Sequence, residues 1–302
     1  MSRRIALIVI FTAGLLLRTA EAKTIRVLTV GNSFSHNATH CLGDLANAAG
    51  DTLILREVNI GGSSFDIHLK KAEVFEKDPT ANLGRYTSGK GLKEELASDQ
   101  WDFITIQQSS IKSHDVETYR PFAKQLADYI RQHAPGATLM LHQTWEYRID
   151  DPRFAVKEPK PGEPKTQDEM YAGLAGAYAT IAKELGLRLI PVGDAFHAAN
   201  RDSQWGFRPL AKPFEAKAAK PGELPVQSHS LNVGWNWKKQ LDGSKKLIMD
   251  GHHASAAGEY LGACVWYEIL FGLSVENVNF APPGLDADYA KFLRATAHRA
   301  AK

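Results

Sequence analysis

RVLTVGNSFSHNATH (26–40) is the stretch on which the fold turns. Its first half is apolar and β-branched, as expected of a strand buried on both faces. That run stops at Gly31, and Asn32-Ser33 follows with helix-compatible residues behind it. Gly-Asn-Ser taken alone is a turn and helix-cap signal. A strand that ends abruptly before a helix can also hold a serine at the rim of a sheet, where it can attack a substrate. Residues elsewhere in the chain must separate the two readings.

Moving outward, strand-like and helix-like runs alternate. TLILREVNIGG (52–62) reads as a second strand ending on paired glycines, WDFITIQQSS (101–110) as a third, ATLMLHQTW (137–145) as a fourth and LRLIPVGDAF (187–196) as a fifth. Helical patterns lie between them: HNATHCLGDLANAAG, about 65–77, about 90–98, VETYRPFAKQLADYIRQHAPG and TQDEMYAGLAGAYATIAKELG. SAAGEYLGACVWYEILFG, from near Ser255, is expected to be the last helix. This alternation implies a doubly wound α/β fold with a parallel sheet covered on both faces. Ligands in such sheets bind beyond the carboxyl ends of the strands. Gly31-Asn32-Ser33, Gly61-Gly62-Ser63, Gln107-Gln108 and Trp145 are therefore expected on one rim. Residues 150–165 read as a surface loop. Residues 201–249 read as an insertion with a hairpin turning at Asp242-Gly243, bordering the mouth of the site.

The chain has 302 residues, 44% of them hydrophobic, enough for one large core. Residues 1–22 read as a cleaved export signal: Arg3 and Arg4, an uncharged stretch from Ile5 to Leu17, then Ala20-Glu21-Ala22. An uncleaved anchor is the alternative. Without Arg3, Arg4, Arg18 and Glu21, basic and acidic residues balance at 33 each, so the chain offers no electrostatic footprint for nucleic acid. The expected product is exported, periplasmic or secreted, with no stable membrane insertion once the signal is removed. Two cysteines, Cys41 and Cys264, exclude a disulfide scaffold and a thiolate metal site. They fall on helices expected side by side and are read as buried free thiols, with a bridge as the alternative.

Ester hydrolysis by a serine needs a base, a group that orients the base, and donors for the oxyanion. Asp250-Gly251-His252-His253, expected in one loop, puts an aspartate and a histidine three residues apart. His253 has the spacing to reach Ser33, and His252 is expected to point elsewhere.

VGNSFS, GGSSF, WDFITIQQSS and DGHHASAAGEYL, in that order, resemble the SGNH (GDSL-like) hydrolase superfamily. The resemblance implies a flavodoxin-like α/β fold, with Ser33 as nucleophile, Asp250 as orienting acid and His253 as base. It also implies an oxyanion hole from the Ser33 amide and the Gly62 amide, or that of Gly61. The family's Gly-x-Asn block is missing here. Gln107 stands as the candidate third donor, with Gln108 as the alternative. A GG[ST] block and a Gln-containing third block also resemble sugar deacetylases of the superfamily. The expected substrate is thus a small acyl ester, with O-acetyl carbohydrate as the favoured case and Trp145, Trp235 and Trp237 as a sugar platform. No metal or other cofactor is implied. Two rivals stand beside this reading: a non-catalytic carbohydrate-binding protein on the same fold, and a metal-dependent hydrolase using Asp250, His252, His253 and Asp194.

Overall fold

The computed structural model describes residues 22–302, so the export-signal reading lies almost wholly outside the described residues. Five parallel strands form the central sheet: β1 (Thr24–Gly31), β2 (Thr52–Asn59), β3 (Phe103–Ile106), β4 (Thr138–His142) and β5 (Arg188–Ile190). They stand in the order β2-β1-β3-β4-β5, the flavodoxin-like doubly wound order. β1 pairs with β2 through Gly31↔Asn59 and with β3 through Val30↔Ile106. The ends of these strands, and the Gly61-Gly62 and Gln107-Gln108 turns after them, therefore share one rim.

Helices cover both faces. They are α1 (Ser33–Thr39), α2 (Leu42–Ala48), α3 (Phe65–Lys77), α4 (Leu92–Leu96), α5 (Phe122–His133), α6 (Gln167–Leu185), α7 (Val192–Arg201), α8 (Ala256–Phe271) and α9 (Ala287–Ala300). The segment after β1 is two short helices instead of one. The fifth strand is also shorter than its apolar run: it ends at Ile190, and α7 begins two residues later. The apolar residues of α7 repeat at helical spacing, so Val192, Ala195, Phe196 and Ala199 all reach the core. Asp194 accordingly sits in the first turn of a helix, where it accepts hydrogen bonds from Gln143 Nε2 and Tyr171 Oη. It does not reach the rim cleft.

α8 is apolar on every side and buried through its length, packed against α1, α2, α7 and α9. Ser255 caps its start, and Gly272 ends it in a left-handed turn with φ 66°. It is not the final helix. α9 follows and packs on α7 and α8, covering a face that α8 alone would leave open. Cys41 and Cys264 are buried and free. Within 201–254 the hairpin forms from β6 (Asn232–Lys239) and β7 (Lys245–Ala254), antiparallel and separate from the main sheet. No helix among the described residues is long and apolar enough to cross a membrane.

Candidate active site

The end of β1 is crowded. A β-carbon at Gly31 would run into Ser35 Oγ and the Gln107 side-chain oxygen, so glycine lets these two side chains close on the strand end. Asn32 is the N-cap of α1, its Oδ1 accepting the Phe34 amide at 2.9 Å. Ser33 is then the first residue of the helix, half-exposed above the sheet. As the opening residue of α1, its own amide has no intrahelical acceptor and is available at the rim.

Asn32 does more than cap. Its Oδ1 also accepts Gln107 Nε2 at 2.7 Å, and its Nδ2 donates to the Ser63 carbonyl at 2.8 Å. One buried amide thus ties the serine turn to the second and third rim turns. An aspartate could accept the first two bonds, but it would set a carboxylate oxygen against the Ser63 carbonyl. This accounts physically for Gly-Asn-Ser at this position. Behind it, the Ser63 hydroxyl donates to Gly31 O at 3.0 Å, and His68 Nε2 also reaches Gly31 O, at 3.0 Å. His68 Nδ1 then accepts from Tyr86 Oη at 2.9 Å. Burial pushes the His68 ring down to about 4 and the His142 ring down to about 3, so both are neutral props.

The opposite wall comes from β7. Asn232 pairs with Ala254 but Gly234 with Asp250, so four residues of β7 span what two residues of β6 span. A regular strand would send residues three apart to opposite faces; this bulge turns Asp250 and His253 to the same side. The sequence was expected to place Asp250–His253 in a loop, but these residues are the irregular end of a strand. Three bonds hold it: Arg148 N to Gly251 O at 2.7 Å, Trp145 Nε1 to His252 O at 2.9 Å, and Ala254 N to Asn37 Oδ1 at 3.3 Å. The last reaches α1 itself, so the helix that carries Ser33 also registers His253.

The two walls meet. His253 Nδ1 lies 2.9 Å from Asp250 Oδ2, and His253 Nε2 lies 2.9 Å from Ser33 Oγ. A carboxylate only accepts, so Nδ1 carries the proton and Nε2 is left to accept from the serine hydroxyl. Burial of Asp250 opposes its ionisation. Hydrogen bonds from the His253 ring and amide outweigh that and hold its carboxyl far below the usual range. His252 does not point away. It lines the same cleft, its Nδ1 3.3 Å from Asp250 Oδ1 and its ring 5.4 Å from that of Tyr147. Nothing in the local spacing signals this, because the bulge that turns it inward is set by pairing with β6.

The cleft has a volume of about 250 Å³ and is lined by Ser33, Gly62, Ser109, Ser110, Tyr147 and the two histidines, among others. Gly62 faces it and Gly61 does not; Gly62 has φ 69°, a conformation natural to glycine. Gln107 and Gln108 are absent from the lining. Gln107 is sealed behind the serine turn, donating to Asn32 and accepting from Ser35 Oγ and His142 Nδ1. Gln108 donates to Thr118 O and accepts the Ser109 amide. The expected third-donor role of Gln107 is therefore corrected: it braces the turn from inside the core. The tryptophan platform is corrected as well. Trp145 is fully buried, stacked on Phe196 at 4.5 Å and packed under Phe34 at 4.3 Å. Trp235 lines a separate cavity with Arg148, Phe207 and Phe214, and Trp237 donates to Glu223 O. Neither borders the Ser33 cleft.

A 2-1-3-4-5 parallel sheet whose rim serine is joined to a histidine and an aspartate in one hydrogen-bonded chain defines a flavodoxin-like α/β protein with a serine–histidine–aspartate site. More narrowly, the chain belongs to the family described as "Domain of unknown function (DUF4886)", whose model matches residues 26–206. That span holds Ser33, Gly62 and Gln107 and stops short of Asp250 and His253. A solved DUF4886 family protein from Bacteroides uniformis is similar at 26% identity and a TM-score of 0.68, covering 92% of this chain and 94% of its own. A protein of Slackia heliotrinireducens described as "a putative SGNH hydrolase" is similar at 22% identity and a TM-score of 0.48, covering 81% of this chain and 98% of its own. No curated protein matches.

Proposed function

We propose that this protein is a serine esterase that hydrolyses a small acyl ester through Ser33, His253 and Asp250. The observation that carries the reading is the pair of 2.9 Å contacts from Ser33 Oγ to His253 Nε2 and from His253 Nδ1 to Asp250 Oδ2. In the proposed reaction His253 takes the Ser33 proton as Oγ attacks the ester carbonyl. The resulting oxyanion is received by the amides of Ser33 and Gly62. The tetrahedral intermediate collapses as protonated His253 gives its proton to the leaving alcohol, leaving an acyl-serine. Water, deprotonated by His253, then attacks the acyl carbon, and Ser33 regains its proton as the acid departs. Asp250 keeps the imidazole in the tautomer this sequence needs and stabilises its cation.

A cleft of about 250 Å³ sits below the usual range for drug-sized ligand sites and suits a short acyl group such as acetyl. The paired hydroxyls of Ser110 and Tyr147 beside it favour a polar alcohol as the leaving group. An O-acetyl carbohydrate meets both conditions. The reading also takes the protein as exported, on the sequence pattern of residues 1–22. A metal-dependent alternative has one observation in its favour: donor atoms of Asp250, His252 and His253 lie within 4.8 Å of one another. Loss of esterase activity to a chelator, restored by zinc, would support it.

The test is labelling with a fluorescent serine-directed phosphonate alongside turnover of p-nitrophenyl acetate. The wild type is expected to label and turn over. Ser33→Ala is expected to do neither, losing at least about 10⁴-fold in kcat with its melting temperature kept. Retained turnover in Ser33→Ala would overturn the assignment.

A further inference from the structure

With Gln107 and Gln108 facing inward, the proposed oxyanion hole is left with two backbone amides and no amide side chain from the third rim turn. The residues just beyond them carry three hydroxyls. Ser109, Ser110 and Ser113 follow β3 in one tight turn, closed by Lys112 N to Ser109 O at 2.9 Å. The Ser110 hydroxyl is paired with Tyr147 Oη at 3.0 Å, and the Ser113 hydroxyl donates to Ser110 O at 2.8 Å. The Ser109 hydroxyl has no protein partner among the described residues, and Ser109 lines the same cleft as Ser33 and Gly62. Its backbone is pinned from behind, because Gln108 Oε1 accepts the Ser109 amide at 2.8 Å while Gln108 Nε2 donates to Thr118 O at 2.9 Å.

We propose that the Ser109 hydroxyl is the third oxyanion donor, aimed into the cleft by the buried Gln108 side chain. The proposal rests on the esterase reading and deepens it. The substitution is chemically sufficient: a hydroxyl donates one hydrogen bond, as an asparagine or glutamine amide would. A donor held in place before the reaction needs no reorganisation as charge develops on the carbonyl oxygen. Gln108 is then a positioning residue, and the two glutamines divide the work: Gln107 braces the nucleophile turn, Gln108 the donor turn.

The experiment compares wild type, Ser109→Ala, Ser109→Thr and Ser33→Ala on p-nitrophenyl acetate, with phosphonate labelling rates and melting temperatures. Ser109→Ala is expected to lose roughly 10²-fold in kcat with KM and melting temperature unchanged. It should label at Ser33 more slowly, because the phosphonyl oxygen occupies the same hole. Ser109→Thr keeps a hydroxyl and is expected to recover most of the rate. An active wild type with Ser109→Ala at full kcat overturns the donor role and leaves the esterase reading standing. A wild type that neither labels nor turns over defeats both.

Discussion

The two walls of the cleft are built differently. Ser33 stands on the main sheet, where Asn32, Gln107, Ser35, Ser63, His68 and His142 form a buried hydrogen-bond network beneath it. Asp250 and His253 stand on a two-stranded hairpin outside that sheet, half-exposed, and beyond the span of the family model. The Ser33 wall is over-determined: Asn32 ties the serine turn to both of the other rim turns, and Ser63 and His68 hold Gly31 from below. The base wall depends on a bulge and a few anchoring bonds, chief among them those of Arg148. That guanidinium is buried against the Phe207 ring at 4.4 Å and pairs with Asp150, Gln227 and Ser230, joining the insertion to the rim. On the esterase reading, a rigid Ser33 turn facing a separately anchored His253 should fail in two distinguishable ways.

The sharpest separation comes from Asp250→Asn. An amide at this position no longer enforces the Nδ1–H tautomer of His253, so kcat is expected to fall about 10⁴-fold. The melting temperature should move little, because the base wall is only half-buried; a large loss of stability would mean the walls are one unit. Arg148→Met should act on the same wall through structure. Leaving Asp150 and Gln227 without their buried partner is expected to cost about 2–4 kcal/mol, measured by urea unfolding. Activity at low denaturant should fall before the main sheet melts. Coincident loss of both would break the comparison.

On the other wall, Asn32→Asp places an acceptor against the Ser63 carbonyl in the core. The expected cost is about 1–3 kcal/mol, with slower labelling of Ser33 as the tied turns loosen. The gentlest probe is acid. His68 and His142 are neutral and buried, with folded-state values near 4 and 3 against an ordinary value of 6.5. Between those values and 6.5 the unfolded chain binds more protons than the folded one, so stability should decline as pH falls from about 6.5 toward 4. Melting temperatures across that range check it. His68→Gln and His142→Gln should flatten the decline, and an unchanged slope would mean that the network under Ser33 is not what acid attacks.

Much of this was legible in the chain. β-branched runs stopping at Gly31, Gly62 and Gln107, with helical periodicity between, determine a parallel α/β layer, because a strand buried on both faces must be apolar throughout and must be crossed over by a helix. The same pattern puts the glycine and glutamine turns on one rim, and the three-residue spacing marks Asp250 and His253. The sequence could not show which way side chains turn at those ends. Gln107 and Gln108 read alike, yet each points into the core because an acceptor outside its own strand awaits it there: Asn32 for one, the Thr118 carbonyl for the other. Trp145 looks like a rim aromatic, but Phe34 and Phe196 enclose it. Asp250 and His253 share a face only because four residues of β7 are paired against two of β6. Local pattern determines which residues reach the rim, since it reflects burial and period along one segment. Only pairing between distant segments decides which of them look out into the cleft.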